Sequence, residues 1–535
     1  MRGFFPSTRR IRIALVRLVA FVLAVTAPVM GVGPQAVRVG VSGNIPKPPV
    51  SLPHPRAGHA LDHQIEKILS PGDLRRGFWG IEVVQDEGGR VLYARHGDHL
   101  FVPASNLKLF TTAAALEKLG PDYVFHTTVE SDAAPDAQGR VGDLYLVGRG
   151  DPDLGARRFP YSYRSLPQPP DTFIQEMADQ LQARGVRGIT GKLIADDRYF
   201  LWEPFAPNWA VDDVAWGYGA PVSALAFDDN SLTLHVLPGE KVGDAAWVRV
   251  EPVPDYYLLR NALQTSAAGT EKNYLLQRQP GSMEIHVWGQ IPADAHEDVA
   301  TIAIADPPRL IIEKFSAALR TRGIVVNNEC EVLHRTHVDA PSPPSPTPRV
   351  VLAEHQSPPL SQIIKVINKE SENLHAEMLL RTLGRVTQNE GSREGGIKAL
   401  NAFAAQAGIS PGELHASDGS GLSRDNLVTP SAITQLLSFM GKSPRFPVYL
   451  DSLPVAGVDG TLVHRFAESA VKGRIHAKTG SLEHVNTLSG YMVLPTGKRL
   501  AFAILANNQD GSNQSCQPVL DALAMEIYQW FSARH

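Results

Sequence analysis

Two cysteines in 535 residues, Cys330 and Cys516, are too few for a disulfide framework or a four-cysteine zinc site. Neither has metal-type spacing around it, so one long-range disulfide and two buried thiols both stay open. An excess of either charge is missing too. The chain carries 51 Lys and Arg against 55 Asp and Glu, a net charge of -4. A protein that held nucleic acid by neutralising phosphates would be basic, at least as a domain, so no nucleic acid is expected. Beyond the N-terminal region no apolar run reaches the ~20 residues that span a membrane. No Gly-rich dinucleotide fingerprint follows a strand. Gly441-Lys442-Ser443 is like the end of a phosphate loop, but Leu436 stands where its earlier glycine must be. His59 and His63 have the spacing of a metalloprotease helix, but Ala60 replaces the required glutamate. These gaps predict no metal and no cofactor.

What is present is globular: 43% of residues are hydrophobic and 20% charged, over a length suited to roughly two to four domains. Arg2, Arg9, Arg10 and Arg12 precede an apolar run over 13–25, broken only by Arg17, and Pro28, Gly31, Gly33 and Ala36 follow. Basic, apolar and small regions in that order form a secretory signal pattern. Residues 1–35 are therefore read as a signal peptide and 36–59 as a Pro-rich spacer. The expected location is the periplasm or cell-wall space, with a membrane tether through the first residues as the alternative.

Strand-like runs at 79–84 and 90–94 flank a glycine-containing loop and predict a hairpin. A helical pattern over 107–119 stops at Gly120-Pro121. Short strands and turns fill 125–340, and a second proline cluster over 341–349 reads as a linker. Helices dominate 358–440, strands return over 473–505, and Leu520, Leu523, Ile527 and Phe531 share one face of a last helix. Strands near both ends with helices between predict one sheet assembled from distant sequence.

Ser105-Asn106-Leu107-Lys108 lies where the hairpin gives way to the helix. On a helix, positions i and i+3 share a face, so the Lys108 amine can take the proton of a Ser105 nucleophile. The bland alternative is that Ser105 is a helix N-cap. The pattern recurs at Ser469-Ala470-Val471-Lys472, where no apolar helix follows. Two further motifs separate the copies: Ser371-Glu372-Asn373 between helical segments, and Lys478-Thr479-Gly480 in a terminal strand. Their order and context make an acyl-transfer site. Ser371 and Lys478 would relay a proton to the leaving nitrogen, and Asn373 would hold substrate backbone. Thr479 would bind a terminal carboxylate. Burial and a second cation, Lys478, would both lower the pKa of Lys108.

With these motifs the chain resembles the low-molecular-mass class C penicillin-binding proteins, the D-alanyl-D-alanine carboxypeptidase/endopeptidase type. The likeness also takes in Gly148-Arg149-Gly150-Asp151-Pro152, the run from Tyr218 to Leu225, Asp418-Gly419-Ser420-Gly421-Leu422-Ser423, and Leu453-Pro454-Val455-Ala456-Gly457. It implies an α+β fold: a discontinuous penicillin-recognising domain with an antiparallel sheet flanked by helices. The expected boundaries are 60–124 and 350–535 for that domain, with two smaller domains inserted over 125–340. The resemblance assigns catalysis to Ser105, Lys108, Ser371, Asn373 and Lys478, and substrate binding to Thr479, Gly480 and Ser481. The backbone N–H groups of Ser105 and Ser481 would form the oxyanion hole. Peptidoglycan peptides are the implied substrates and β-lactams the implied acylating inhibitors. A β-lactamase or esterase on the same machinery, and a non-catalytic cell-wall scaffold, are the competing readings.

Overall fold

The computed structural model describes residues 59–70, 75–326, 330–339, 348–509 and 513–534. The expected signal peptide, almost all of the spacer, and most of the 341–349 linker lie outside them. Five strands form the central sheet: β1 (Phe78–Gln85), β2 (Arg90–Arg95), β3 (Ile475–Leu482), β4 (Val485–Val493) and β5 (Arg499–Asn507). Their order is β3-β4-β5-β1-β2 and every pairing is antiparallel. The seam between distant sequence runs along β1 and β5, where Ile81 faces Ile504 and Val83 faces Phe502.

β5 is apolar almost throughout because both of its faces are covered. With side chains alternating at period two, Phe502, Ile504 and Ala506 enter one core while Ala501, Ala503 and Leu505 enter the other. On the first face lie α1 (His59–Leu69) and the C-terminal helix α5 (Asn513–Ser532), through Leu61, Ile65, Leu520, Leu523 and Ile527. On the second lie α2 (Lys108–Leu119) and α4 (Pro430–Gly441), with Phe110, Ile433 and Leu436 at 0% exposure. Fully burying one such side chain stabilises by about 1.5–3 kcal/mol. The same core takes Leu379 and Leu383 from α3 (Asn373–Gln388), which runs beside α2.

Between α2 and α3 the chain builds a second core. A mixed sheet orders Cys330–Leu333, Leu193–Asp196, Leu144–Val147, His126–Ser131 and Val350–Gln356, with helices Thr172–Ala183 and Pro307–Thr321 packed in the same cluster. Three three-stranded sheets complete the region. Val350–Gln356 pairs antiparallel with His126–Ser131, so this strand belongs to the inserted sheet. The return to the central sheet's layers therefore comes near Leu360, about ten residues later than the boundary placed at 350. Cys330 and Cys516 are both free thiols, one in each region. Among the described residues no helix is long and apolar enough to cross a membrane, and no group of three or more His, Cys, Asp or Glu is placed to hold a metal ion.

Candidate active site

The segment before α2 is pinned to the central sheet by polar contacts. Asn507 accepts from the Val102 N–H at 2.7 Å, Thr487 Oγ1 donates to the Pro103 carbonyl at 3.0 Å, and Asn106 Nδ2 donates to Ser489 Oγ at 2.7 Å. A tight turn, Ala104–Leu107, follows with Ala104 at φ 48°, and α2 begins at Lys108 rather than at 107. Ser105 is not a cap: neither the turn nor α2 has a side-chain cap hydrogen bond at its start. The Ser105 hydroxyl lies 3.0 Å from Lys108 Nζ instead.

Lys108 is fully buried, and its nitrogen has two other partners: Asn373 Oδ1 at 2.5 Å and the Ser420 carbonyl at 2.7 Å. The Asn373 amide nitrogen donates to the Tyr218 carbonyl at 2.8 Å, which turns its oxygen toward Lys108. Both of these oxygens can only accept. A neutral Lys108 therefore donates its two N–H bonds to them and presents its lone pair to Ser105. Burial lowers the Lys108 pKa to about 8, against Asp418, Glu372 and Glu377, which raise it.

Lys478 is equally buried and donates to Ser371 Oγ and to the Thr479 carbonyl, both at 2.9 Å. Burial first, then the charge of Lys108, push its pKa well below the ordinary lysine value. The second-cation effect expected at Lys108 thus falls on Lys478.

Gly480 explains its own residue type. A Cβ there would fall 2.3 Å from Thr487 Oγ1 and 3.0 Å from both the Pro103 carbonyl and the Ser105 nitrogen. Only a residue without a side chain lets β3 lie against the nucleophile turn. Ser105, Ser371, Asn373 and Ser481 open onto one cleft of about 530 Å³, with Lys108 and Lys478 buried beside it. Asp212, Asp213, Tyr218 and Arg424 also line the cleft, so the inserted region supplies part of its wall. Thr479 does not line it. Its hydroxyl donates to Thr461 Oγ1 at 2.8 Å. Ser469, in the second Ser-x-x-Lys copy, turns its hydroxyl to the Phe466 carbonyl at 2.9 Å.

Sequence reasoning did not single out the groups that hold the Ser420 carbonyl in place. Glu377 Oε1 accepts from the Gly419 and Ser420 N–H groups, both at 2.8 Å, while its other oxygen pairs with buried Arg381 at 3.0 Å. Asp418 accepts from Gly421, Ser423, Asn426 and Trp209. The run 418–423 had been noted only as part of a likeness. Its bond to Lys108 comes from a backbone carbonyl, which carries no residue signature.

Comparison with known proteins fits this geometry. A family model, the D-Ala-D-Ala carboxypeptidase 3 (S13) family, matches residues 61–525. The chain is 36% identical over 481 residues to a D-alanyl-D-alanine carboxypeptidase of Actinomadura sp. (strain R39), covering 88% of this chain and 85% of that one. It is 26% identical over 419 residues to the D-alanyl-D-alanine carboxypeptidase DacB of Haemophilus influenzae, covering 77% and 81%. Among solved structures, penicillin-binding protein 4 from Haemophilus influenzae aligns with a TM-score of 0.73 at 22% identity, over 88% of this chain and 99% of that one. The fold is that of the penicillin-recognising proteins, a helix-flanked antiparallel sheet with an inserted region. The chain belongs to the D-Ala-D-Ala carboxypeptidase 3 (S13) family, and with it to the serine-type peptidases.

Proposed function

We propose that this protein hydrolyses D-Ala-D-Ala bonds, or cross-linking D-Ala bonds, in peptidoglycan stem peptides through an acyl-enzyme at Ser105. Neutral Lys108 takes the Ser105 proton as Oγ adds to the scissile carbonyl. The backbone N–H groups of Ser105 and Ser481 receive the oxyanion, each such donor contributing ~3 kcal/mol to the transition state. The C–N bond then breaks as the departing amine takes a proton from Ser371, and the proton that Lys108 took from Ser105 replaces it by way of Lys478, so that Lys108 is neutral again. In the second half water adds to the acyl carbonyl as it loses a proton to Lys108, which returns that proton to Ser105 Oγ as the acid leaves. Beside the cleft, the exposed Thr479–Thr461 pair offers hydroxyls for a terminal carboxylate. A β-lactam would acylate Ser105 by the same route, but its amine stays attached.

The observation that carries this reading is the double acceptor at Lys108. Asn373 Oδ1 and the Ser420 carbonyl leave Ser105 as the partner for the amine lone pair. Family membership supports the substrate class. The Haemophilus influenzae penicillin-binding protein 4 has also been solved in complex with a β-lactam. The signal pattern over 1–35 supports export to the compartment where such peptides lie. Release of D-Ala from a stem pentapeptide tests the proposal. The parent should release it and Ser105→Ala should not, whereas equal release by both would exclude Ser105 as nucleophile.

A further inference from the structure

Ser371 has φ 66°, a left-handed conformation that L-residues other than Asn and Asp seldom adopt. Such a backbone costs of order 1–3 kcal/mol and persists where its surroundings over-determine it. The flanking residues are held from both sides. Lys369 binds Asp459 at 2.7 and 2.9 Å and the Leu453 carbonyl at 2.8 Å. The Glu372 carboxylate caps the Leu374 N–H at 3.1 Å. These ties come from the region around the central sheet.

The others come from the inserted region. Arg157 directs Nε and Nη2 onto Glu370 Oε2 at 3.1 and 2.8 Å, and Nη1 onto Asp229 Oδ1 at 2.5 Å. The same Asp229 oxygen meets Nε2 of fully buried His375 at 2.9 Å, one turn beyond Ser371. Asp229 is itself held at φ 56°, between Asp228 and Asn230, which are also left-handed. Asp153 lies beneath with both carboxylate oxygens buried and without a hydrogen-bond partner, 3.8 Å from Arg157 Nη1. Carboxylates at 153, 228, 229, 370 and 372 thus surround Arg157 and His375.

We propose that Arg157 is a positioning residue: it clasps Asp229 of the inserted region to Glu370 and so fixes the backbone that aims Ser371 at Lys478. The guanidinium suits the task because its planar fork engages two carboxylates at once, which an ammonium matches poorly. The insertion then does more than wall the cleft, since it sets the geometry of the proton donor. This inference rests on the reading of Ser371 as proton donor to the leaving nitrogen.

The test compares two substrates in the full-length protein. A D-Ala-D-Ala peptide must have its leaving amine protonated, whereas a thioester of the same acyl group expels a thiolate without one. Arg157→Met should lower kcat/KM for the peptide about 100-fold, the scale of a 1 Å misplacement, and for the thioester by less than about 5-fold. Arg157→Lys should recover part of the peptide activity. Glu370→Gln cuts the clasp at its partly exposed end and should show the same selectivity if Arg157→Met does not fold. An equal fall on both substrates, or an unchanged peptide rate, would overturn the proposal. Ser371→Ala separates the two readings. If it lacks this amide selectivity, the role given to Ser371 is overturned, independently of the clasp.

Discussion

Lys108 Nζ and Asn373 Oδ1 stand 2.5 Å apart, joining the first residue of α2 to the first of α3. The bond fixes the direction of the amine that faces Ser105, and burial lowers its pKa. The active form is the deprotonated one, so kcat/KM should be low in mild acid and rise with pH through about 8. Asn373→Asp would place a carboxylate on the ammonium and favour it, moving the rising limb toward pH 9 or above by a shift of about one unit or more. The pH dependence of β-lactam acylation measures both. A limb that stays in place in Asn373→Asp would contradict the role of Lys108 as base.

Lys478→Arg keeps a cation beside Ser371 but fixes its charge. The relay then loses a group able to exchange a proton, and acylation should fall by about 10²–10⁴-fold. Stopped-flow acylation measures the loss, and an unchanged rate would contradict the relay.

Gly480→Ala would force a methyl group within 2.3 Å of Thr487 Oγ1 and against the Pro103 carbonyl. Overpacking of this kind costs about 1–3 kcal/mol. The loss should fall on acylation as well as stability, because the Ser105 nitrogen is among the atoms displaced. Urea unfolding and acylation kinetics on the one variant test both parts. Unchanged acylation would mean that β3 does not need its close approach to the nucleophile turn.

The Glu377–Arg381 pair is fully buried. Glu377→Leu would strand the Arg381 charge and release the Gly419 and Ser420 N–H groups, destabilising the protein by about 3–5 kcal/mol. Denaturant unfolding measures the change. A loss under 1 kcal/mol would show that the pair is not the anchor of the Ser420 carbonyl.

The sequence made the central sheet and the three motifs legible because each has a local cause. Short β-prone runs mark β1, β2 and β5, and Ser-x-x-Lys spacing reads directly as one helical face. What escaped depends on atoms or partners that sequence does not print. The Ser420 carbonyl acts through its backbone, and Arg157 meets Glu370 more than two hundred residues away. Nothing local to Val350–Gln356 says which sheet that strand joins, so the boundary at 350 came too early. Thr479 shares a strand face with Ser481, which lines the cleft, but its hydroxyl turns to Thr461, a partner eighteen residues away in sequence.

Intact-mass and peptide mapping after incubation with a penicillin tests the central claim most directly. The account predicts one covalent adduct of the mass of the whole β-lactam, on the peptide carrying Ser105, and none on Ser105→Ala. An adduct on another residue, or equal labelling of the parent and Ser105→Ala, would contradict it.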